Sequence, residues 1–167
     1  MRWIWGVATA VAMTGLGGAV TAQDAPPAGA QAPAEVLQAE APAGPQWKVF
    51  SRSAQSNYLI DLSSIRPEGE ELRVSVARVA NAGDAGNYAH VVDTFGIRCA
   101  AAETQVIRST EVFEDGEGSE AFEAGEPWTA VRPRTLDEAI KDLACDELVP
   151  SGAAHASIRA YIDAGRP

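Results

Sequence analysis

Apolar and polar residues alternate most regularly in residues 71–79, "ELRVSVARV". One side of an extended chain then carries the apolar residues Leu72, Val74 and Val76. This period of two predicts a β-strand with one buried face. Shorter alternating runs at 47–50 and 57–62 flank the polar stretch "SRSAQS", and together they predict a β-hairpin.

Two further segments have the composition of strands. Residues 88–99 follow a glycine-bearing loop, and residues 104–116 are rich in β-branched side chains and end in an Asp-Gly turn signal. A weaker strand is predicted at "EAFE". Asp93 falls on an otherwise apolar strand face, which indicates either a β-bulge or a carboxylate with a partner. Because the connections are short, we expect an antiparallel meander of five or six strands.

A helical pattern appears only after these strands, in "RPRTLDEAIKDLAC". Thr135 and Glu138 have the T-x-x-E spacing of a capping box, which satisfies free N–H groups at a helix start. Apolar residues at helical spacing form one stripe, which consists of Leu136, Ala139, Ile140 and Leu143. This helix is therefore predicted to cover the open face of the sheet. Residues 153–165 predict a second, shorter helix that stops at Gly165.

The first 22 residues have the pattern of a signal peptide. Arg2 supplies a positive start, residues 3–20 carry no charge, and Val20 and Ala22 are the small residues that a signal peptidase requires. An uncleaved membrane anchor is the alternative, but four glycines and three threonines make the stretch only mildly apolar. We therefore expect cleavage after Ala22 and no membrane span in the mature chain.

The next segment, residues 23–46, is rich in Pro and Ala and contains no aromatic residue. Such a composition buries too little apolar surface to offset the cost of ordering, so it predicts a disordered linker. Residues 47–167 then form a single β-rich domain. The predicted fold class is α+β: an antiparallel meander with a C-terminal helix packed on one face and tied to it by a disulfide.

The chain contains two cysteines, Cys99 and Cys145. In an oxidising compartment outside the cytoplasm, two cysteines of one domain usually pair, so export predicts a disulfide. A metal or redox pair is the competing interpretation, but there is no C-x-x-C motif, and only His90 and His155 are available to assist.

Cys145 raises a geometric problem. At about 100° per residue it falls opposite the apolar stripe, so a regular helix would direct its thiol toward water. We therefore expect the helix to end near Ala144 and the chain to turn Cys145 toward the sheet. Cys99 is expected at the end of its strand, on the core face.

The chain is acidic, with 13 Lys and Arg against 23 Asp and Glu and a formal charge of −10. Removal of the signal peptide would remove Arg2 and leave −11. A negative chain argues against nucleic acid and anionic lipid as partners, because both require a positive face. Simple solubility also accounts for this charge.

No motif in the sequence indicates catalysis, and we predict no catalytic residue, no cofactor and no metal site. His90 has no nucleophile motif nearby, and His155 lies two residues from Ser157, which is a common spacing. The acidic run 114–126 raises the question of calcium. It lacks the D-x-D-x-D-G order, so a solvated hairpin loop is the preferred interpretation.

The order of these features resembles the surface-adhesin protein E-like family of Gram-negative envelope proteins. The resemblance rests on "W-x-V" at Trp47, "YLIDLSSI" at 58–65, a strand that ends at Cys99, "W-x-x-V-x-P" at Trp128, and a helix that leads to Cys145. It covers about residues 47–145 and implies an antiparallel sheet with a C-terminal helix tied by one disulfide. Members with a known role bind host matrix or serum proteins, but no binding residue can be transferred to this sequence, because the matched positions have a structural character.

Together these observations predict an exported, non-catalytic envelope protein, in the periplasm or on the surface of a Gram-negative bacterium. It is expected to bind another macromolecule, either a host matrix protein or an envelope component, with weak homodimer formation allowed. The alternative is a periplasmic accessory protein that binds a small ligand or metal with the acidic loop or the sheet face.

Overall fold

The computed structural model of the protein describes residues 44–167. The predicted signal peptide, and the predicted linker up to residue 43, lie outside the described residues. Neither of the two helices within 44–167 has the length and apolar character that crossing a membrane requires.

Seven strands form one antiparallel sheet in this region. The strands are β1 (Trp47–Arg52), β2 (Ser56–Glu68), β3 (Glu71–Ala80), β4 (His90–Arg98), β5 (Glu103–Val112), β6 (Ser119–Glu123) and β7 (Thr129–Ala130). Spatial order follows chain order from β1 to β6, and β7 pairs with the half of β5 that β6 leaves free. The predicted meander is confirmed. The strand predicted at 104–116 ends earlier, at Val112, because the chain turns there into the β5–β6 hairpin.

Both faces of the sheet are buried, each by a different helix. The helices are α1 (Leu136–Cys145) and α2 (Ile158–Asp163). Neighbouring residues of a strand point to opposite faces. Ile60 belongs to the core that contains Ile140 and Leu143 of α1, whereas Leu59 belongs to the core that contains Tyr161 of α2.

The second helix extends the predicted architecture. The sequence predicted a helix on one face, and α1 fulfils that prediction. Helix α2 covers the opposite face, where its three buried side chains meet Trp47, Leu59 and Val79. Ser157 begins this helix, because its hydroxyl accepts a hydrogen bond from the backbone N–H of Ala160 at 3.0 Å.

The motif around Asp61 shapes an irregularity in β2. The register with β3 shifts between Asp61 and Arg66. The Asp61 carboxylate accepts hydrogen bonds from the Ser63 backbone and hydroxyl at 3.0 and 2.7 Å, and from the Gln46 backbone at 2.8 Å. Ser64 Oγ accepts from the Ser75 backbone at 2.8 Å, which spans the gap in the ladder. Asp61, Ser63 and Ser64 therefore have a local structural role within β2.

The structure gives the Asp93 carboxylate a hydrogen-bond partner, which was one of the two predicted explanations for its place on an apolar strand face. Its carboxylate accepts a hydrogen bond from the hydroxyl of Ser109 on the neighbouring strand. The register of β4 and β5 shifts directly after this row of residues, where Ile107 is left without a cross-strand partner. A partnered carboxylate and a strand irregularity therefore occur side by side.

Helix α1 begins as predicted. Thr135 Oγ1 accepts a hydrogen bond from the Glu138 backbone at 3.3 Å, and the Glu138 carboxylate accepts one from the Arg134 backbone at 2.6 Å. This reciprocal arrangement satisfies two free N–H groups at the start of the helix.

The structure bonds Cys99 to Cys145 with a Cα–Cα distance of 5.8 Å, which confirms the predicted disulfide, but the predicted position of Cys99 was wrong. Helix α1 ends at Cys145, one residue after the predicted end near Ala144, and Asp146 caps it. Cys99 lies in the exposed turn after β4, not on the core face. Cys145 is partly buried and packs against the core under α1, whereas Cys99 is exposed, so the bridge joins the margin of that core to a surface turn.

Candidate functional site

Helix α1 packs against one part of its sheet face, and another part of that face carries exposed side chains. Residues paired across adjacent antiparallel strands share a face, so one row of side chains can be followed across the sheet. In order from β2 to β6, the row consists of Tyr58, Arg78, Val91, Glu111 and Glu120. We call this row, together with Phe113 and Phe122 beside it, the open face.

The open face contains a shallow hollow of about 470 Å³ lined by Arg78, Val91, Glu111 and Phe113. The two phenylalanines are unusually accessible for their size: Phe113 is 48% exposed and Phe122 is 44% exposed. Large exposed apolar side chains typically mark an interaction surface, and here they flank the Glu111–Glu120 pair on opposite sides along the strands. The shape and composition of the hollow fit contact with another macromolecule.

The charge of the open face is uneven. Arg78 lies toward the middle of the sheet, and Glu111 and Glu120 are direct cross-strand partners toward its edge. The segment from residue 111 to residue 126 contains seven acidic residues and no basic one. The β5–β6 end is therefore acidic, although Arg108 pairs with Glu123 and Arg159 lies beside Asp115.

His90 lies next to the open face but is engaged in local structure. Its Nδ1 lies 2.6 Å from the backbone oxygen of Tyr88, so this nitrogen carries the proton and donates to the carbonyl. Burial lowers the pKa of His90, and the contact with Tyr88 opposes that shift without cancelling it. This histidine is therefore held in its neutral form.

The lowered pKa of His90 predicts a pH-dependent stability. The unfolded chain takes up a proton near the ordinary value of 6.5, whereas the folded chain does so only at lower pH. The contribution of neutral His90 is fully present above about pH 6.5 and is lost as the pH falls below it. In urea unfolding between about pH 7.5 and 5.5, His90→Gln should therefore lose less stability on acidification than the parent chain. An equally steep decline in both proteins would contradict this assignment.

His155 and Ser157 also have structural contacts. The backbone of His155 forms a reciprocal pair with Trp47, with N···O distances of 3.0 and 2.9 Å. Its ring packs edge-on against Tyr161, with a centroid separation of 5.3 Å. Ser157 caps α2, so the separate structural roles of His155 and Ser157 explain their two-residue spacing.

The acidic run 114–126 forms the β5–β6 hairpin loop and continues into β6. Asp115 organises the loop, because its Oδ1 accepts hydrogen bonds from the backbones of Glu117 and Gly118 at 2.9 and 3.0 Å. The bond from Gly118, followed by that from Glu117, lowers the pKa of Asp115. Among residues 44–167, no three His, Cys, Asp or Glu side chains are placed to hold a metal ion.

The two tryptophans of the sequence pattern, Trp47 and Trp128, have structural roles. Trp47 is 8% exposed and belongs to the core under α2. Trp128 is half-buried, and the guanidinium of Arg98 stacks over its ring at 3.9 Å. Arg98 also forms ion pairs with Glu71 and Glu103. The charged groups beside Trp128 therefore bind mainly to one another.

A family match connects this geometry with known proteins. The surface-adhesin protein E family matches residues 47–146, more than half of the chain. The chain belongs to the surface-adhesin protein E family. The matched range includes the whole sheet, α1, both cysteines and the open face, whereas α2 lies beyond it. No curated protein and no solved structure matches the chain.

The open face of this surface-adhesin protein E family member was not predicted from its sequence. Phe113 and Phe122 were visible as the two aromatic residues of an otherwise acidic segment, and that contrast was the available signal. Arg78 and Glu111 had no such signal, because only the strand register places them in one row.

Proposed function

We propose that this chain is an exported, non-catalytic protein that binds a partner protein through the open face. The observation that carries the proposal is the pair of exposed aromatic side chains, Phe113 and Phe122, on the open face. Membership of the surface-adhesin protein E family supports a binding role. Export is supported by the signal-peptide pattern of residues 1–22.

A protein partner suits this surface better than a small ligand. The hollow is shallow, and it combines apolar contact area with charges of both signs at its margins. Small-molecule sites are typically concave and enclose most of the ligand, whereas protein interfaces bury aromatic anchors inside a polar rim. Phe113 and Phe122 would be the anchors, with Arg78 and Glu111 in the rim.

Capture of partners by the tagged mature chain tests this proposal. Envelope extract and purified extracellular-matrix proteins serve as two separate sources. The double variant Phe113→Ser/Phe122→Ser should weaken capture by about tenfold or more, since buried aromatic anchors dominate interface energies.

The matched control is Leu148→Ser/Val149→Ser, which removes two apolar side chains that are at least as exposed but lie beyond α1. It should capture partners as the parent chain does. Equal loss in both variants, or no loss in the first, would refute a binding role for the open face. A calcium-binding signal in calorimetry would instead favour the accessory-protein alternative.

The proposed location has its own test. Protease treatment of intact cells should remove the protein if it is displayed on the surface and should spare it if it is periplasmic. Retention of residues 1–22 in the mature protein, detected by mass spectrometry, would contradict cleavage after Ala22.

A further inference from the structure

Among residues 44–167, no strand pairs with the outer edge of β6. At one end of the β5–β6 ladder the N–H of Phe113 donates to Gly118 O, and at the other end the N–H of Ala124 donates to Ile107 O, both at 2.9 Å. Hydrogen-bonded pairs alternate along an antiparallel ladder, so within β6 it is Glu120 and Phe122 that bond to β5. The remaining residues direct their backbone N–H and C=O groups away from the sheet; they are Ser119, Ala121 and Glu123.

The two edges of the sheet differ. At β1, the chain covers part of its own edge, because His155 pairs with Trp47 and Lys48 Nζ donates to the backbone oxygen of Pro150 at 3.0 Å. At β6, all five residues are exposed. An exposed edge of this kind is a template for another strand.

The charges beside this edge select what can pair with it. Glu111 and Glu120 face each other across the ladder, and like charges in that position are destabilising. A basic side chain on a strand added beside β6 would lie next to Glu120 and offset this repulsion. Another acidic strand would increase it, which disfavours a second copy of this chain.

We propose that β6 accepts an extended segment of the partner protein as an additional strand. The segment carries a basic side chain opposite Glu120 and an aliphatic one opposite Phe122, two positions away, because alternate residues share a face. This inference rests on the proposed function and names the chemistry of the partner at the same surface.

A pair of synthetic peptides tests the charge requirement. The first, Thr-Val-Thr-Lys-Thr-Val-Thr, has the expected pattern in either strand direction, and the second has Glu in place of Lys. In NMR titrations of the mature chain, the Lys peptide should shift the amide signals of 119–123 and bind at least about fivefold more tightly than the Glu peptide. Glu120→Lys should reverse this preference. Equal binding of the two peptides would overturn the charge assignment.

The backbone requirement is tested at Ala121, whose N–H points outward. Ala121→Pro removes this donor without removing a hydrogen bond to β5, and it should weaken binding of the Lys peptide by about tenfold. Ala121→Thr keeps the N–H and should bind as the parent chain does. Retained amide-exchange protection in β5 would show that the proline variant still has its hairpin. If protection is lost, the reversed peptide preference of Glu120→Lys becomes the test of the proposal.

Two results separate this inference from the proposed function. If Ala121→Pro still captures the envelope or matrix partner while Phe113→Ser/Phe122→Ser does not, the open face binds but strand addition is refuted. If sedimentation shows a dimer of the parent chain that Ala121→Pro abolishes, the edge pairs with a second copy, and a basic partner segment is refuted.

Discussion

Removal of the disulfide by the double variant Cys99→Ser/Cys145→Ser should lower the free energy of unfolding by about 4 kcal/mol. The bridge joins residues separated by 46 positions, and closing a loop of that length restricts the unfolded chain strongly. The native state loses little, because Cys99 is exposed and the packing of α1 depends on Ile140, Leu143 and Ala144. Urea unfolding of both proteins under identical conditions measures the difference.

The double variant avoids the ambiguity of a single unpaired thiol. Ala100→Ser, which changes an exposed neighbour of Cys99, is the matched control and should unfold as the parent chain does. Reduction of the parent chain with dithiothreitol should reproduce the loss. If the double variant and the parent chain unfold at the same urea concentration, the bridge does not form in the protein.

The regular strands were predictable because each signal was local. In β3, the alternation of Leu72, Val74 and Val76 reports one buried face directly, and the structure buries Val74 and Val76 as expected. The start of α1 was equally local, because the capping residues lie within four positions of one another. Signals of this kind require no knowledge of the distant chain.

The sequence contained a signal that the second face of the sheet is also covered. Leu59 and Ile60 are adjacent, and both are fully buried. A run of consecutive apolar residues in a strand indicates burial on both faces, so "YLI" contained the information that a second layer exists. The identity of that layer depends on Ile158, Tyr161 and Ile162, almost 100 positions away, and no local rule connects the two segments.

The cysteines and the open face show where local reasoning fails. Cys145 packs against the core from the last residue of α1, whereas Cys99 lies in an exposed turn that the strand pattern did not indicate. The open face depends on where α1 crosses the sheet. That crossing is set by tertiary packing, so Arg78 and Glu111 could not be grouped beforehand.

Replacement of Tyr161 by alanine should lower the free energy of unfolding by about 3–5 kcal/mol, the range observed for large buried aromatic residues. Tyr161 is fully buried and is the largest such side chain of the described residues. It joins α2 to the sheet at Leu59, Ala77 and Val79. Its loss would leave a cavity that a six-residue helix cannot fill by small shifts.

Tyr161→Phe separates packing from polarity at this position. The hydroxyl of Tyr161 is buried, and it makes no hydrogen bond of standard geometry with the described residues, although Arg52 and Asn57 lie nearby. Burial raises the pKa of this hydroxyl. Phenylalanine keeps the ring and removes a buried hydroxyl whose contacts with Arg52 and Asn57 fall short of standard hydrogen-bond geometry, so Tyr161→Phe should be at least as stable as the parent chain.

Thermal unfolding of the two Tyr161 variants, monitored by circular dichroism, makes the comparison decisive. A large loss for alanine and none for phenylalanine would show that α2 stabilises the sheet by packing of the ring. Equal, large losses would show that the hydroxyl has a partner and that the polar contact dominates. A small loss for alanine would mean that α2 does not cover the face of Leu59, and the second layer of the fold would then be refuted.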